Sequence, residues 1–168
     1  MKNNISKSFL QQSDKSNIFL ENKKNIIIFP IMILGHGIDI VDISRIAKTY
    51  EKFGDKFLKK FLSTTELEKL PDAKTKIVPF LAKHWAVKEA TSKAVGCGLI
   101  NGSPLHFKDI ILDHEWTGMP KIQPTENLLI ISCQMYGLEY IDNDKLTFHT
   151  STSGDAGVVV ASVILEIN

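Results

Sequence analysis

The hydrophobic pattern is most regular in one long stretch near the middle of the chain. Apolar residues recur there every three or four positions, which predicts a helix from about Thr75 to Val95. Pro79 is tolerated only in the first turn of a helix, so we expect the regular part to begin near it. Glu89 and Lys93 stand four residues apart and therefore share a face, with the acid before the base.

The helix face that carries Glu89 and Lys93 is otherwise apolar; its other members are Val78, Ala82, Trp85 and Ala86. A charged pair in this setting is half withdrawn from water, which favours a partner or a functional role. An isolated Glu–Lys pair is more often a surface salt bridge, and the pattern alone leaves both interpretations open.

A strand and three short helical segments precede the long helix. Residues 33–41 are rich in β-branched residues and include two glycines, which is typical of a buried strand that another backbone or a ligand approaches closely. Asp42 offers an N-cap for a helix through residues 45–53. Residues 57–62 continue as a second helical piece, and a capping box at residues 63–66 opens a third.

A period of two follows the long helix and predicts a sheet. The strand candidates are residues 107–112, 146–153 and 158–167, with a helix from Pro124 to Tyr136 between them. A turn at residues 153–157 predicts that the last two strands form an antiparallel hairpin. The final strand is nearly continuous Val, Ile and Ala, so we expect it to be central and buried. Helices and antiparallel strands mix without a βαβ rhythm, so the fold class is α+β.

Composition indicates one folded domain with an N-terminal extension. The 168 residues are 43% apolar, as in an ordinary globular protein. Residues 1–31 are rich in Asn, Lys, Ser and Gln, and we interpret them as a disordered or targeting extension. We expect the folded domain over residues 32–168.

Charge and cysteine content narrow the class of protein. The net charge of +1 favours neither nucleic acid nor an anionic membrane as a partner. No apolar run approaches the roughly 18 residues of a membrane span. Cys97 and Cys133 lack metal-type spacing and suit free thiols in a reducing compartment, so we expect a cytoplasmic location. A transit peptide within residues 1–31 would instead indicate a plastid or another organelle.

Asp39 is the second acid of interest because it lies inside an apolar strand, where a carboxylate needs a cation, metal or donor partner. Mg²⁺ keeps several waters and accepts one or two carboxylates together with substrate phosphates. Asp39 and Glu89 would suit such a site if the fold brought them together, which the sequence does not show. The alternative is that Asp39 only caps the following helix.

The Gly96–Cys97–Gly98 turn ends the long helix, and its simplest role is a C-cap. Lys88, Ser92 and Lys93 on the preceding turns would offer a phosphate two cations and a hydroxyl. His84 shares a side with Lys88, and we expect it to be exposed or at a groove. The five histidines lack the spacing of a zinc site.

Arg45, Lys48 and Lys52 repeat at helical spacing and form a basic stripe on one face of the first helix. Most stripes of this kind are simply solvated. A stripe this regular also fits an acidic protein partner, which it would steer and orient.

Two motifs together resemble the small 4′-phosphopantetheinyl transferases, the holo-[acyl-carrier-protein] synthase family. They read GHGIDIVDISRI from Gly35 and FLAKHWAVKEATSKAVGCGL from Phe80, and the resemblance extends over about Met32 to Glu166. It implies a long central helix packed on a small antiparallel sheet, and a homotrimer with active sites between protomers. It also implies a Mg²⁺-dependent enzyme that transfers the 4′-phosphopantetheine arm of coenzyme A to a serine of acyl carrier protein, releases 3′,5′-ADP and supports fatty acid biosynthesis.

The resemblance also assigns roles to individual residues. Asp39 and Glu89 match the Mg²⁺ ligands, Lys93 matches the lysine that faces the pyrophosphate, and these three are the expected catalytic residues. The positions that match contacts to coenzyme A are His84, Gly96, Gly98, Leu99, Pro120 and His149. Arg45, with Lys48 and Lys52 beside it, matches the basic helix that receives the acidic helix of the carrier protein.

Two positions depart from the family pattern. The family commonly has Arg where His84 stands, and often a second His where Gly154 stands. Histidine carries less charge near neutral pH and has no bidentate fork. These departures keep an alternative open, in which the chain is a catalytically idle trimer that binds coenzyme A or carrier protein. An unrelated α+β domain with a structural Glu–Lys pair is a third possibility.

Overall fold

The structure, a computed structural model, describes residues 32–99, 102–139 and 145–168, so the predicted extension over residues 1–31 lies outside the described residues. The strands are β1 (Met32–Asp42), β2 (Ile110–His114), β3 (Pro120–Pro124), β4 (Leu146–Asp155) and β5 (Val158–Ile167). The helices are α1 (Ile43–Phe53), α2 (Asp55–Phe61), α3 (Thr64–Leu67), α4 (Lys74–Val95) and α5 (Glu126–Met135). The predicted α+β class is confirmed, and no helix in these ranges has the length and apolar content needed to cross a membrane.

The main sheet has three antiparallel strands in the order β1–β5–β4, and β2 pairs with β3 in a second, two-stranded sheet. Ala156 and Gly157 join β4 to β5 with φ values of 49° and 83°. Positive φ at both central residues suits the twist of a tight hairpin, so the predicted hairpin is confirmed. Strand β5 is central, as expected, but every second residue of it is buried, so only one face of the sheet is covered.

The covered face, called here the inner face, packs against α4. Gly35 and Gly37 of β1 lie on it, and a methyl group at Gly37 would overlap the carbonyl oxygen of Ala90, as one at Gly35 would overlap that of Ala94. The predicted close approach to the strand glycines is therefore an approach of the α4 backbone. Ala90 and Ala94 belong to a row of four fully buried alanines spaced four residues apart along α4: Ala82, Ala86, Ala90 and Ala94.

The short helices begin at the predicted caps. The Asp42 carboxylate accepts a hydrogen bond of 2.7 Å from the Ser44 amide at the start of α1. Ser63 and Glu66 form the expected reciprocal capping box of α3. These side chains satisfy amide groups that a helix leaves unpaired at its start, which explains why the local sequence located both helix starts.

Three boundaries differ from the prediction. Helix α4 begins at Lys74, so Pro79 lies in its second turn rather than its first. Residues 107–109 form a 3₁₀ turn before β2, because the Asp109 carboxylate accepts a 2.8 Å hydrogen bond from the His106 amide. Helix α5 starts after Thr125, whose hydroxyl caps it, and Pro124 belongs to β3.

Candidate active site

The site is centred where α4 crosses β1. Asp39 lies on the inner face with its side chain 15% exposed, and Lys93 Nζ donates hydrogen bonds of 2.9 Å to Asp39 Oδ1 and to the Ile38 carbonyl oxygen. The Lys93 side chain is half exposed, so its ammonium group is open to a ligand. Lys93 pairs with Asp39 across the fold, and within the described ranges it forms no ion pair with Glu89. The interpretation of Glu89 and Lys93 as a simple salt bridge is therefore wrong.

Glu89 stands one helical turn before Lys93 and is half-buried, as its apolar surroundings predicted. Burial raises the pKa of its carboxyl group, and the negative charge of Asp39 raises that pKa further. Lys93 and Arg45 act in the opposite direction. Asp39, Glu89, Lys93 and Arg45 thus form one electrostatically coupled group, which we call the acid–lysine group.

The acid–lysine group has the donor set of a Mg²⁺ site with two protein ligands. A cation near both carboxylates would relieve the repulsion that raises the pKa of Glu89. Among the residues that the structure describes, no three His, Cys, Asp or Glu side chains cluster in a way that could hold a metal ion. Two carboxylates with room for waters and phosphate oxygens suit Mg²⁺ better than a metal that needs a closed protein cage.

The glycine turn leaves α4 immediately after Lys93. Gly96 caps the helix with a φ of 86°, and its amide donates to the carbonyl oxygens of Lys93 and Ser92. Gly98 is exposed and Leu99 is partly buried, so this loop presents backbone beside the acid–lysine group. Burial raises the pKa of the Cys97 thiol, which keeps it protonated near neutral pH. Contact of Gly96, Gly98 and Leu99 with coenzyme A stays a prediction.

Pro120 and His149 line a single cleft of about 740 Å³ between β3 and β4. Thr150 also lines it, and its buried hydroxyl oxygen has no hydrogen-bond partner among the described residues, which leaves a polar atom for a ligand to satisfy. His149 Nε2 lies 3.3 Å from Glu166 Oε2. Two of the predicted coenzyme A residues are therefore neighbours, but no member of the acid–lysine group lines this cleft.

The cleft and the acid–lysine group lie apart in this chain. Asp39 is on the inner face of β1, whereas His149 is on the opposite, outer face of β4, at the other edge of the sheet. Asp39 pairs with Ala161 and His149 with Ile164, so the two residues are separated by two strand spacings and three residues along the strand. That offset corresponds to about 14 Å between Cα atoms.

The structure contradicts the expected exposure of His84. Its side chain is 2% exposed, its Nδ1 lies 2.9 Å from the Phe80 carbonyl oxygen, and burial lowers its pKa to about 4. Helix α4 is covered on this side, so His84 faces protein rather than solvent. The buried position of His84 gives no geometric support to a contact between this residue and coenzyme A.

Lys88 and Ser92 are also unavailable to a phosphate. Lys88 is fully buried, with its Nζ 2.7 Å from Glu66 Oε2, and Ser92 donates its hydroxyl to the Glu89 carbonyl oxygen. Burial lowers the pKa of Lys88 and the charge of Glu66 opposes that shift. The sequence identified Glu66 as a helix cap but did not predict its buried pair with Lys88. The signal for the pair was the position of Lys88 among the apolar residues Ala86, Val87 and Ala90, where a buried lysine needs an acidic partner.

Arg45, Lys48 and Lys52 are exposed on α1, as the stripe predicted. An apolar groove of about 400 Å³ that was not predicted lies beside them; its lining residues are Thr49, Phe53, Lys56, Phe57, Lys60, Phe61, Trp85 and Phe107. Its signal in the sequence was three phenylalanines spaced four residues apart, at positions 53, 57 and 61.

Comparison with known proteins agrees with this geometry. A family model described as the 4′-phosphopantetheinyl transferase superfamily matches residues 35–146. Holo-[acyl-carrier-protein] synthase of Buchnera aphidicola is 41% identical over 80% of this chain and 98% of its own length, and that of Aliarcobacter butzleri is 37% identical over 76% and 93%. The crystal structure of the Neisseria meningitidis synthase matches with a TM-score of 0.66 at 34% identity, covering 80% of this chain and 98% of its own. The Helicobacter pylori synthase in complex with coenzyme A matches with a TM-score of 0.62 at 31% identity, covering 77% and 98%.

Proposed function

This chain belongs to the 4′-phosphopantetheinyl transferase superfamily, and from that premise we propose that it is a holo-[acyl-carrier-protein] synthase. It transfers the 4′-phosphopantetheine arm of coenzyme A to a serine of apo acyl carrier protein and thereby supports fatty acid biosynthesis. The observation that carries the proposal is the acid–lysine group, in which Asp39 contacts Lys93 and Glu89 lies one turn away, inside the matched region.

Asp39 and Glu89 would hold Mg²⁺ in this enzyme. Bound Mg²⁺ supplies positive charge to the pyrophosphate of coenzyme A, and with it stabilisation of the charge that develops during transfer. The ion pair of Asp39 with Lys93 supports this assignment, because the Asp39 carboxylate already accepts a cationic group, and the Lys93 side chain is half exposed and can give way to a metal ion.

The chain's own residues perform the remaining steps. The serine oxygen forms a bond to the β-phosphorus of coenzyme A, and the bond from that phosphorus to the bridging oxygen breaks, so that 3′,5′-ADP leaves with the electron pair. Glu89, half-buried one turn before Lys93, accepts the proton of the serine hydroxyl. Lys93 neutralises the charge on the departing phosphate.

Coenzyme A contacts two regions, the cleft and the acid–lysine group, which lie apart within a single protomer. The nucleotide end occupies the cleft of Pro120 and His149, where the orphaned Thr150 hydroxyl finds a partner. The pyrophosphate lies at Lys93 and the loop of Gly96, Gly98 and Leu99. Because Asp39 and His149 lie on opposite faces of the sheet, the cleft that completes each site belongs to a neighbouring protomer.

The outer face of the sheet supports a homotrimer. Ile38 and Ile40 point outward from β1 with exposures of 53% and 63%, beside alternate residues of β5. Neighbouring exposed β-branched side chains on a sheet face typically mark a protein interface. Packing of three such faces would bury these isoleucines.

The carrier protein binds at α1. Arg45, Lys48 and Lys52 attract an acidic helix, and the adjacent groove with Phe53 and Trp85 accepts its apolar residues. Arg45 also belongs to the acid–lysine group, so a partner held there has its serine beside Glu89.

The free thiols of Cys97 and Cys133 are consistent with the cytoplasmic location that we propose for the enzyme.

One assay tests the function. Purified protein is mixed with coenzyme A, Mg²⁺ and apo carrier protein, and mass spectrometry looks for one added phosphopantetheine. We expect addition with the wild type and loss of Mg²⁺-dependent transfer in Asp39→Asn and Glu89→Gln, with the trimer intact by light scattering. Asp113→Asn, which removes an exposed carboxylate paired with Lys69, is the control and should remain active. Binding of coenzyme A without transfer would support the idle trimer, and near-normal activity of either site variant would refute the site assignment.

A further inference from the structure

A buried ion pair on the far side of α4 has no part in the reaction described above. Lys88 Nζ donates hydrogen bonds to Glu66 Oε2 at 2.7 Å and to the Phe107 carbonyl oxygen at 2.8 Å, and the two side chains are 0% and 1% exposed. Glu66 also accepts hydrogen bonds of 2.8 Å from the Ser63 amide and 2.9 Å from the Leu112 amide. The pair therefore joins α4 to α3 and β2, and the Lys88 nitrogen and both Glu66 carboxylate oxygens are hydrogen-bonded.

The contact between α4 and β1 is unusually close, because the α4 backbone at Ala90 and Ala94 lies directly against Gly35 and Gly37. The rotational setting of a packed helix normally comes from side-chain ridges that fit into grooves. Surfaces of alanine and glycine approach closely but interlock weakly, so directional polar contacts add to the packing of α4 in setting its orientation.

Polar contacts of α4 outside the acid–lysine group remain in place during turnover, among them the Glu66–Lys88 pair and the 2.6 Å hydrogen bond that the Tyr136 hydroxyl donates to the Ala94 carbonyl oxygen. The Lys93–Asp39 contact is at the surface, and both partners are required by the ligands, so binding of the substrate exchanges it. Neither Lys88 nor Glu66 has surface that a ligand can reach. A buried charge pair of this kind is weak evidence for stability but is well suited to specify one arrangement.

We propose that the buried Glu66–Lys88 pair positions the catalytic carboxylate, by fixing the rotation of α4 so that Glu89, the next residue along the chain, faces Asp39. This inference rests on the proposed function of the acid–lysine group. A carboxylate lies roughly 6 Å from the helix axis, so a rotation of about 10° moves it by about 1 Å. A displacement of that size at a reacting group lowers the rate by roughly 100-fold.

The test uses two variants, Glu66→Gln and the double variant Glu66→Gln/Lys88→Met, which removes both charges and leaves no buried ion unpaired. We measure kcat, KM for carrier protein, and the affinity for coenzyme A with Mg²⁺ by calorimetry, each per folded trimer. We expect kcat to fall about 10- to 100-fold and the affinity for coenzyme A with Mg²⁺ to fall several-fold, while KM for carrier protein stays within about twofold. Lys69→Met, which removes the exposed pair with Asp113, is the matched control and should leave every value unchanged.

The outcomes separate the two proposals. A purely structural role would lower the melting temperature or the folded yield without changing kcat per folded trimer, and that result would overturn the inference. A wild type that transfers nothing would refute the proposed function instead. A fall in kcat in the folded variants, with the Lys69→Met control unaffected, supports a positioning role.

Discussion

Acidification should destabilise this protein through one buried histidine. His84 is 2% exposed, and burial lowers its pKa to about 4 in the folded chain, although Glu66 at 3.9 Å acts against that shift. In the unfolded chain the same imidazole titrates near pH 6.5. Between these two values the unfolded state binds a proton that the folded state does not, so the stability contributed by a neutral His84 is present above about pH 6.5 and is lost as the pH falls.

The size of the effect follows from the two pKa values. Linkage predicts a loss of about 2 kcal/mol of unfolding free energy between pH 7 and pH 5, rising to about 3 kcal/mol below pH 4. The side chain is almost fully enclosed, so no discount for solvent screening applies. For a domain of this length, about 2 kcal/mol corresponds to a fall in Tm of roughly 6 °C.

Urea unfolding at fixed protein concentration, followed at pH 7 and pH 5, measures the loss. His84→Asn keeps a donor for the Phe80 carbonyl oxygen but cannot titrate, so its decline between the two pH values should be about 2 kcal/mol smaller than that of the wild type. His106→Asn is the control, because that ring is 75% exposed, and it should behave as the wild type does. If His84→Asn showed the same decline as the wild type, the buried neutral imidazole would not be the cause and the reasoning would fail.

Two further substitutions test the fold and the partner surface. Gly37→Ala should lower the unfolding free energy by about 1–3 kcal/mol or more, because the added methyl group would overlap the Ala90 carbonyl oxygen. The control is Gly154→Ala, whose methyl group makes only ordinary contacts and should be tolerated. Equal thermal melts of the two variants would contradict the close packing of α4 on β1. Arg45→Ala should raise KM for carrier protein by about tenfold and leave coenzyme A binding unchanged, as measured by steady-state kinetics and calorimetry, and equal effects on both substrates would refute a docking role.

The local parts of the fold were predictable because their signals lie within a few residues of one another. The cap at Asp42, the capping box of Ser63 and Glu66, and the hairpin turn at Ala156–Gly157 all appear where the sequence indicated them. The boundary errors came from other local contacts that compete with the predicted element. At the expected start of β2, for example, the Asp109 carboxylate closes a 3₁₀ turn instead.

The site was predictable only in part. The resemblance to a family placed Asp39, Glu89 and Lys93 together, and the structure brings them into one electrostatically coupled group. Residue patterns alone did not pair Asp39 with Lys93, because 54 residues of chain separate them. The roles of these residues toward Mg²⁺ and coenzyme A stay predictions until the transfer assay is done.

By itself, the sequence determined the α+β class, the long helix and the hairpin, since periodicity, caps and turn chemistry are properties of neighbouring residues, and it singled out Asp39 and Glu89 as candidate acids. Tertiary structure alone decided which polar residues of α4 are open to solvent and which are enclosed. Lys93 is half exposed and Glu89 is half-buried, whereas His84 and Lys88 are enclosed. Which residues are enclosed depends on how α4 is rotated about its axis relative to β1 and Glu66. The helical repeat in the sequence is the same for every such rotation, so the sequence pattern cannot predict it.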